Sequence, residues 1–292
     1  MVRAACLTMA LVVWLGWAST GRAQGDYLDI LVVKVDPAKR AALDAAAKKM
    51  TEACRRNHGD NWIAMETVYG EQNTITLVST RRTFADIDKG YELFYGAMNQ
   101  AYGPAGTAKI LQDFPAATKG SRGEIRRRRW DLSANVPSDP ADLNRLVGDS
   151  RLVRTTTIRI RPGHVLRFEE QLRIAKQGVE RGSDKRPILV SQSVAGDEGT
   201  AFYISWLAKT WSDFDSMAAI PQIFGAEGYQ KFLAVSAESV EGSQTVINHF
   251  VPEISNPPES VVSASPGFWT PKPLAVKIKA AAPSKPEAKE KK

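Results

Sequence analysis

The same order of predicted elements occurs twice along this chain of 292 residues. Each copy contains a strand, a helix, two short strands, a second helical stretch and a fourth strand. In the first copy these lie at 30–35, 37–56, 62–69 with 74–79, 84–102 and 124–133. In the second copy they lie at 156–160, 164–178, 188–195 with 201–207, 214–224 with 228–239, and 244–251. Within each pair of short strands, a glycine-containing loop (70–73 or 196–199) predicts a hairpin.

The first strand is apolar on both of its faces. Its apolar residues are Leu28, Ile30 and Val32 on one face, and Leu31, Val33 and Val35 on the other. A strand of this kind is expected to be covered by other structure on both sides.

The order strand–helix–strand–strand–helix–strand is that of the ferredoxin-like split unit. One such unit leaves a face of its sheet uncovered, whereas two units in tandem can place their sheets against each other. We therefore predict an α+β fold in which two tandem ferredoxin-like repeats pack sheet to sheet as an intramolecular α/β barrel. The helices are expected on the outside of that barrel.

Composition shifts along the chain predict five segments. These are a signal peptide (1–23), repeat 1 (24–135), a linker (136–150), repeat 2 (151–255) and a disordered tail rich in Pro, Ala and Lys (256–292). Pro137 and Pro140 mark the linker as a break between the repeats. In the tail, frequent prolines and few apolar residues are typical of disorder. Phe268 and Trp269 are its one apolar pair, and we expect them to be able to dock on the body.

The first segment has the pattern of a secretory signal. It contains Arg3, an apolar run at 4–18 and the small-residue ending 21–23. We predict a periplasmic or secreted protein, with no membrane span after cleavage, because the run is shorter than the roughly 20 residues that a spanning helix needs. The alternative is an uncleaved anchor. After cleavage Cys54 would be the only thiol, and we expect it to be buried on the inner face of its helix.

The net charge of +7 belongs to the leader and the lysine-rich tail, so the body is close to neutral. A neutral body argues against a nucleic-acid partner. The run Arg126–Arg129 is predicted to be a solvated edge strand, with two arginines on each side, that charge protects from mispairing. An acidic ligand or anionic partner is the alternative.

Taken together, the strand and helix pattern of 27–252 resembles the dimeric α/β-barrel superfamily. Members of this superfamily include the antibiotic-biosynthesis monooxygenases, the NIPSNAP proteins and the chlorite-dismutase group. The resemblance implies a ligand cavity between the sheet and the second helix. It does not fix an activity, because the superfamily is functionally mixed.

No phosphate loop, His-Glu-x-x-His run, Cys-x-x-Cys pair or Gly-x-Ser-x-Gly elbow occurs in the sequence. Two side chains are candidates for catalysis. Glu66 would be a general base if its strand face lined a cavity, and His249 would be a general base or a haem ligand. A surface acid and a core histidine are the alternatives. The candidate ligand-binding residues are Trp62, Tyr91, Tyr95, Tyr203 and Trp206, for which plain core packing is the alternative.

These observations leave the question of enzyme or non-enzyme open. The first hypothesis is a module that binds an apolar small molecule in a cleft between sheet and helices, without metal or cofactor. The second is a cofactor-independent monooxygenase-like enzyme or a haem-dependent relative. The third is a non-catalytic envelope scaffold. A homo-oligomer is compatible with each of them.

Overall fold

The computed structural model describes residues 26–215 and 220–270. The strands in these ranges are β1 (Tyr27–Val35), β2 (Ile63–Tyr69), β3 (Thr74–Arg81), β4 (Thr118–Arg128), β5 (Leu152–Ile160), β6 (Leu189–Ala195), β7 (Thr200–Ala208) and β8 (Val240–Phe250). The α-helices are α1 (Arg40–Arg56), α2 (Ala85–Ala116), α3 (Pro140–Asp149), α4 (Val165–Arg181), α5 (Ile220–Ser239), α6 (Glu259–Val262) and α7 (Pro266–Trp269). The predicted signal peptide and residues 271–292 of the predicted tail lie outside the described residues.

The eight strands form one closed barrel in the order β1-β3-β2-β8-β5-β7-β6-β4, and β4 pairs with β1 to complete it. Every pairing is antiparallel. The strands of the first half join those of the second along β2–β8 and β4–β6. The predicted α+β fold with a closed barrel is confirmed. No helix in the described ranges combines the length and apolar character needed to cross a bilayer.

Helices α1 and α4 pack on the outer face of the barrel. Leu43 and Ala47 of α1 lie in one buried cluster with Val33, Ala64 and Ile75 of the neighbouring strands. On the other half, Phe168 and Leu172 of α4 pack against Phe202 of β7. Burial of each valine, leucine, isoleucine or phenylalanine among them contributes about 1.5–3 kcal/mol. The outward positions of the strands are therefore occupied by helix packing.

Strand β4 differs from the sequence prediction in extent and in position. We expected a loop over 113–123 and a strand at 124–133, but α2 extends to Ala116 and β4 begins at Thr118. The helix turns sharply at Gly103, whose φ of 68° is tolerated because glycine has no Cβ, and Pro104 begins the next stretch. In addition, β4 lies between β1 and β6, so Arg126 and Arg128 do not belong to an edge strand.

The predicted linker contains a helix. Asp139 caps α3, since its Oδ1 accepts a hydrogen bond from the Ala141 N–H at 2.8 Å, and Pro140 occupies the first turn. Proline is favoured at a helix start because its missing N–H would have no partner there. The sequence prediction placed Pro140 in an irregular junction between the repeats, whereas this residue begins α3.

Residues 256–270 of the predicted disordered tail are ordered. We call residues 251–270 the C-terminal strap; it includes α6 and α7. Arg55 of α1 donates hydrogen bonds from Nη2 to the carbonyl oxygens of Pro252, Ser255 and Trp269, at 2.8, 2.7 and 3.3 Å. The Trp269 side chain is fully buried, and its Nε1 donates to the Gly148 carbonyl at 2.8 Å. The expected docking of Trp269 on the body is thus observed. Ile254 and Val261 of the strap are buried as well, which the low share of apolar residues did not indicate.

Replacing Trp269 by Ala is expected to lower the free energy of unfolding by about 3–5 kcal/mol, because it removes a buried aromatic side chain and leaves a cavity. Urea unfolding followed by circular dichroism measures this loss. Leu166→Ala is the matched control: this leucine is 80% exposed, so its loss should cost no more than about 0.5 kcal/mol. Equal effects of the two changes would show that the strap does not stabilise the barrel.

The Cys54 thiol is buried, as the sequence predicted. Burial, with a smaller contribution from the charge of Asp60, raises the pKa of Cys54 to about 12. The thiol therefore stays protonated at pH 8, and a thiolate-directed reagent should not react with it until the protein unfolds. The measurement is the rate of modification at pH 8 in a Cys6→Ser background, with and without denaturant. Fast modification of the native protein would contradict this expectation.

Candidate ligand-binding site

The interior of the barrel contains a cavity of about 800 Å³. All eight strands contribute side chains to its wall. Representative lining residues are Leu28, Ile63, Thr76, Arg126, Thr155, Leu189, Tyr203 and Asn248. Side chains alternate across a strand, so these residues lie on the face opposite to the one that holds the helices. The volume falls within the range typical of sites for small molecules.

One end of the cavity is apolar and covered. Val153, Leu207 and Phe250 line it from the strands, and Trp62 lies beside them. Leu143 and Val147 of α3 and Val261 of α6 also line this end, so the C-terminal strap and α3 form its floor. The other end is bordered by the two strand hairpins, where exposed charged residues such as Glu71 and Arg122 line the opening.

The middle of the cavity carries hydroxyl and amide groups that already bond to one another. The Thr67 hydroxyl donates to Oδ1 of Asn248 at 2.8 Å, and the hydroxyls of Thr155 and Ser205 lie 3.0 Å apart. Each pair satisfies one donor and one acceptor without a ligand. They also leave space, because threonine and serine are small.

Strand β4 sends a column of charged side chains into the barrel. Glu124 is buried and accepts hydrogen bonds from Nε of Arg122 at 2.7 Å and from Nε of Arg126 at 2.9 Å. The guanidinium carbon of Arg126 also lies 3.4 Å from the ring centroid of Tyr203. Glu124 thus holds two of the inward arginines in place.

Arg128 is the next inward residue of the column, and it has no such partner. Its Nε is buried without a hydrogen-bond partner in the described part of the chain, and its guanidinium forms no ion pair there. Its guanidinium carbon lies 5.1 Å from the Trp130 ring centroid. Burial lowers the pKa of Arg128 to about 10, an effect that the charge of Asp26 opposes. The side chain therefore remains cationic at neutral pH.

Tyr203 is held by a second charged group near the hairpin end. Its hydroxyl donates to Asp197, whose Oδ1 lies 3.0 Å from Nη2 of Arg159. Burial is the main cause that raises the pKa of Tyr203 above its usual value, and the bond to Asp197 adds to it. Tyr203 is therefore a neutral hydrogen-bond donor whose proton is already engaged.

Only some of the aromatic residues predicted from sequence to bind a ligand lie at the cavity. Trp62 and Tyr203 line the cavity. Tyr91 and Tyr95 lie on α2 and are 58% and 46% exposed, and Trp206 points away from the cavity and stacks with Arg154. Of the five predicted ligand-binding residues, two therefore face the barrel interior and three do not.

Glu66 and His249 lie on the outer face of the barrel. They are direct neighbours in the β2–β8 register, with 3.9 Å between His249 Nε2 and Glu66 Oε2. Glu66 also pairs with Arg40 of α1, with Nη2–Oε2 at 3.0 Å. The cavity is lined from β2 by Ile63, Met65 and Thr67. Glu66 alternates with these residues along β2, so its side chain is on the outer face with Ala64, next to α1.

Arg126 and Arg128 were not among the site residues predicted from sequence, although the pattern already placed two of the four arginines on each side of the strand and left an acidic ligand as the alternative. The error was to assign the run to an edge strand. Because β4 pairs with both β1 and β6, one of its sides faces the barrel interior.

A haem group does not fit the donors of this cavity. His58, His164 and His249 are absent from its wall. Tyr203 supplies a phenolic oxygen to the wall, but its hydroxyl is bonded to Asp197 and its ring face is covered by Arg126. Within the described ranges, no group of three or more His, Cys, Asp or Glu residues is placed to hold a metal ion.

No protein-family model matches the chain, and no curated protein sequence matches it significantly. Among solved structures, the chain is similar to an anthrone oxidase-like protein, with 13% identity over 77% of this chain and 92% of that chain at a TM-score of 0.48. It is also similar to chlorite dismutase from Candidatus Nitrospira defluvii, with 9% identity, 82% and 94% coverage and a TM-score of 0.45. A heme-binding protein from Thermus thermophilus gives 11% identity, 80% and 93% coverage and a TM-score of 0.44. Similarities of this size concern the course of the chain and carry no information about activity.

Replacing Glu124 by Gln is expected to lower the free energy of unfolding by about 3 kcal/mol or more, because it leaves the inward Arg126 without its anionic partner. Chemical denaturation at neutral pH measures the change. Glu71→Gln serves as the control, since the Glu71 side chain is 66% exposed and pairs with Lys34. That change should cost about 0–1 kcal/mol. A Glu124 variant as stable as the control would contradict the assigned role.

Proposed function

We propose that the protein binds an apolar small molecule inside its barrel. The observation that carries this proposal is the cavity of about 800 Å³ at the centre of an eight-stranded barrel. Eight strands give an interior that side chains can fill or that can hold one small ligand. Here many inward positions carry threonine, serine or valine, so the interior is left open. The location replaces the cleft between sheet and helices that the sequence suggested.

The apolar floor supports the choice of ligand class. Val153, Leu207 and Phe250 face the cavity at its covered end, beside Trp62 and Val261. Covering the apolar surface of a cavity with a hydrocarbon or an aromatic group is favourable, because it removes that surface from water. An apolar body is therefore the part of a ligand that this end accommodates best.

Binding is favoured over catalysis by the state of the acidic groups. Glu124 is engaged by two arginines, and Asp197 by Arg159 and Tyr203. Neither is free to take a proton from a bound molecule, as a general base must be. Glu66 and His249 lie outside the cavity, so a monooxygenase-like reaction would need residues other than those first considered.

We further propose that the barrel arose by tandem duplication of a ferredoxin-like unit and belongs to the dimeric α/β-barrel superfamily. The repeated strand order supports this: β4-β1-β3-β2 in one half corresponds to β8-β5-β7-β6 in the other. The leader pattern of residues 1–23 supports export to the periplasm or the medium. Because the barrel closes within one chain, the binding proposal does not require a second copy.

Filling the cavity should abolish binding. Thr155 faces the cavity, whereas its neighbour Thr156 bonds to Thr245 on the exposed side of the same strand. Thr155→Phe is expected to weaken the binding of the neutral probe N-phenyl-1-naphthylamine by about tenfold or more, equivalent to about 1.4 kcal/mol. Thr156→Phe should leave it unchanged. Fluorescence titration gives both constants.

Native mass spectrometry of the protein purified from an exporting cell complements this comparison, since a co-purifying molecule should be lost from the Thr155 variant. Failure of the unaltered protein to bind the probe, or equal effects of the two substitutions, would favour the scaffold hypothesis instead. An absorbance spectrum of the same preparation tests the haem alternative, for which a Soret band is the required sign.

A further inference from the structure

We propose that the ligand of the barrel carries a single carboxylate, and that Arg128 binds it. This inference rests on the proposed function, because it names the polar end of the apolar molecule that the cavity would hold. The starting observation is a cation that faces an interior cavity and has no anion beside it in the described part of the chain.

The other inward charges of β4 cannot neutralise Arg128. Glu124 is four residues away along the strand, which is about 13 Å at the rise of an extended chain. Both of its carboxylate oxygens are already bonded, one to Arg122 and one to Arg126. Asp197 is engaged by Arg159 and Tyr203. Glu124 and Asp197 are therefore committed elsewhere.

Asp26 is the nearest acidic residue to Arg128 in the chain, but it lies outside the barrel wall. It is exposed, its backbone carbonyl accepts from the Arg128 N–H at 2.7 Å, and its Oδ1 accepts from Trp130 Nε1 at 3.1 Å. Its carboxylate forms no ion pair with the Arg128 guanidinium. It acts on that group through space only, and its charge opposes the effect of burial on the pKa of Arg128.

A buried cation without a partner destabilises a folded protein, because it loses hydration and gains no ion pair. An anionic group of a ligand would supply the missing interaction. It would do so where Leu28, Leu189 and Trp130 also line the cavity. The combination of one cation with apolar neighbours matches a molecule that has one acidic group on a hydrocarbon or aromatic body.

A carboxylate fits this position better than a phosphate. A guanidinium donates two parallel hydrogen bonds to one carboxylate. A phosphate ester carries up to two charges and more acceptor oxygens, which proteins usually meet with several cations or backbone N–H groups. The nearest second arginine on the inward face of β4, Arg126, is already engaged by Glu124 and Tyr203.

The test is isothermal titration of four ten-carbon probes that differ only in their head group: decanoate, decan-1-ol, decylamine and decyl phosphate. The unaltered protein is expected to bind decanoate at least tenfold more tightly than decan-1-ol, and decylamine most weakly. Arg128→Met should abolish the preference for decanoate and leave the affinity for decan-1-ol within about twofold. Arg127→Met is the matched control, because Arg127 is on the opposite face of the same strand and does not line the cavity, and it should behave like the unaltered protein.

Thermal unfolding distinguishes a ligand-binding arginine from a structural one, because the two roles predict opposite changes in the melting temperature. Without ligand, Arg128→Met should raise the melting temperature, because the variant no longer buries an unpaired charge; a structural arginine would lower it. Arg128→Lys keeps the charge and should keep a reduced preference for decanoate, which covers the case in which the methionine variant does not fold.

The outcomes separate the two proposals. If the unaltered protein binds none of the probes, the proposed function fails and this inference fails with it. If decanoate and decan-1-ol bind equally, or if Arg128→Met retains the preference, binding stands and the carboxylate assignment is overturned. Tighter binding of decyl phosphate than of decanoate would also overturn it, in favour of a phosphate ester.

Discussion

Closure of the sheet is the constraint on which the rest of the structure depends. Pairing of β2 with β8 and of β4 with β6 joins the two halves, and pairing of β4 with β1 leaves no free strand edge in the barrel. Backbone N–H and C=O groups thereby bond between every pair of neighbouring strands, and the edge-to-edge association that exposed strands invite is prevented. Closure also gives each strand one face toward the helices and one toward the interior.

That division explains how charge is distributed in the molecule. On β4, Arg122, Glu124, Arg126 and Arg128 face inward and Arg127 faces outward, although they are consecutive or nearly so in sequence. Inside the barrel the charges of this strand are organised as pairs, with Arg128 as the exception. Outside it, Glu66 is engaged by Arg40 next to His249. Charged side chains therefore occur on both faces of the barrel, and the face decides whether a ligand in the cavity could contact them.

The sequence predicted the order of the eight strands and of the helices between them within each half, together with the closed barrel, because these follow from local periodicity and from the need to cover apolar sheet faces. It did not predict α3, α6 or α7. It did not predict on which face Glu66 would lie. Alternation along β2 defines two faces, but which of them is the interior depends on how the neighbouring strands and helices pack. Trp62 and Tyr203 were identified as candidates because aromatic residues often line cavities, but Tyr91 and Tyr95 share that character and are exposed. Docking of Trp269 was expected, whereas the order of the rest of the strap was not. The three carbonyl groups that Arg55 contacts lie far from it in sequence, and composition averages cannot detect such contacts.

The alternation of side chains along the barrel strands has an evolutionary consequence. Outward residues such as Val33, Ala64 and Ile75 hold the helices, whereas their inward neighbours Val32, Met65 and Thr76 shape the cavity. Substitution at an inward position changes the volume or polarity of the interior without altering the surface on which a helix rests. Selection can therefore adjust what the barrel accommodates while the packing that keeps it folded is inherited unchanged.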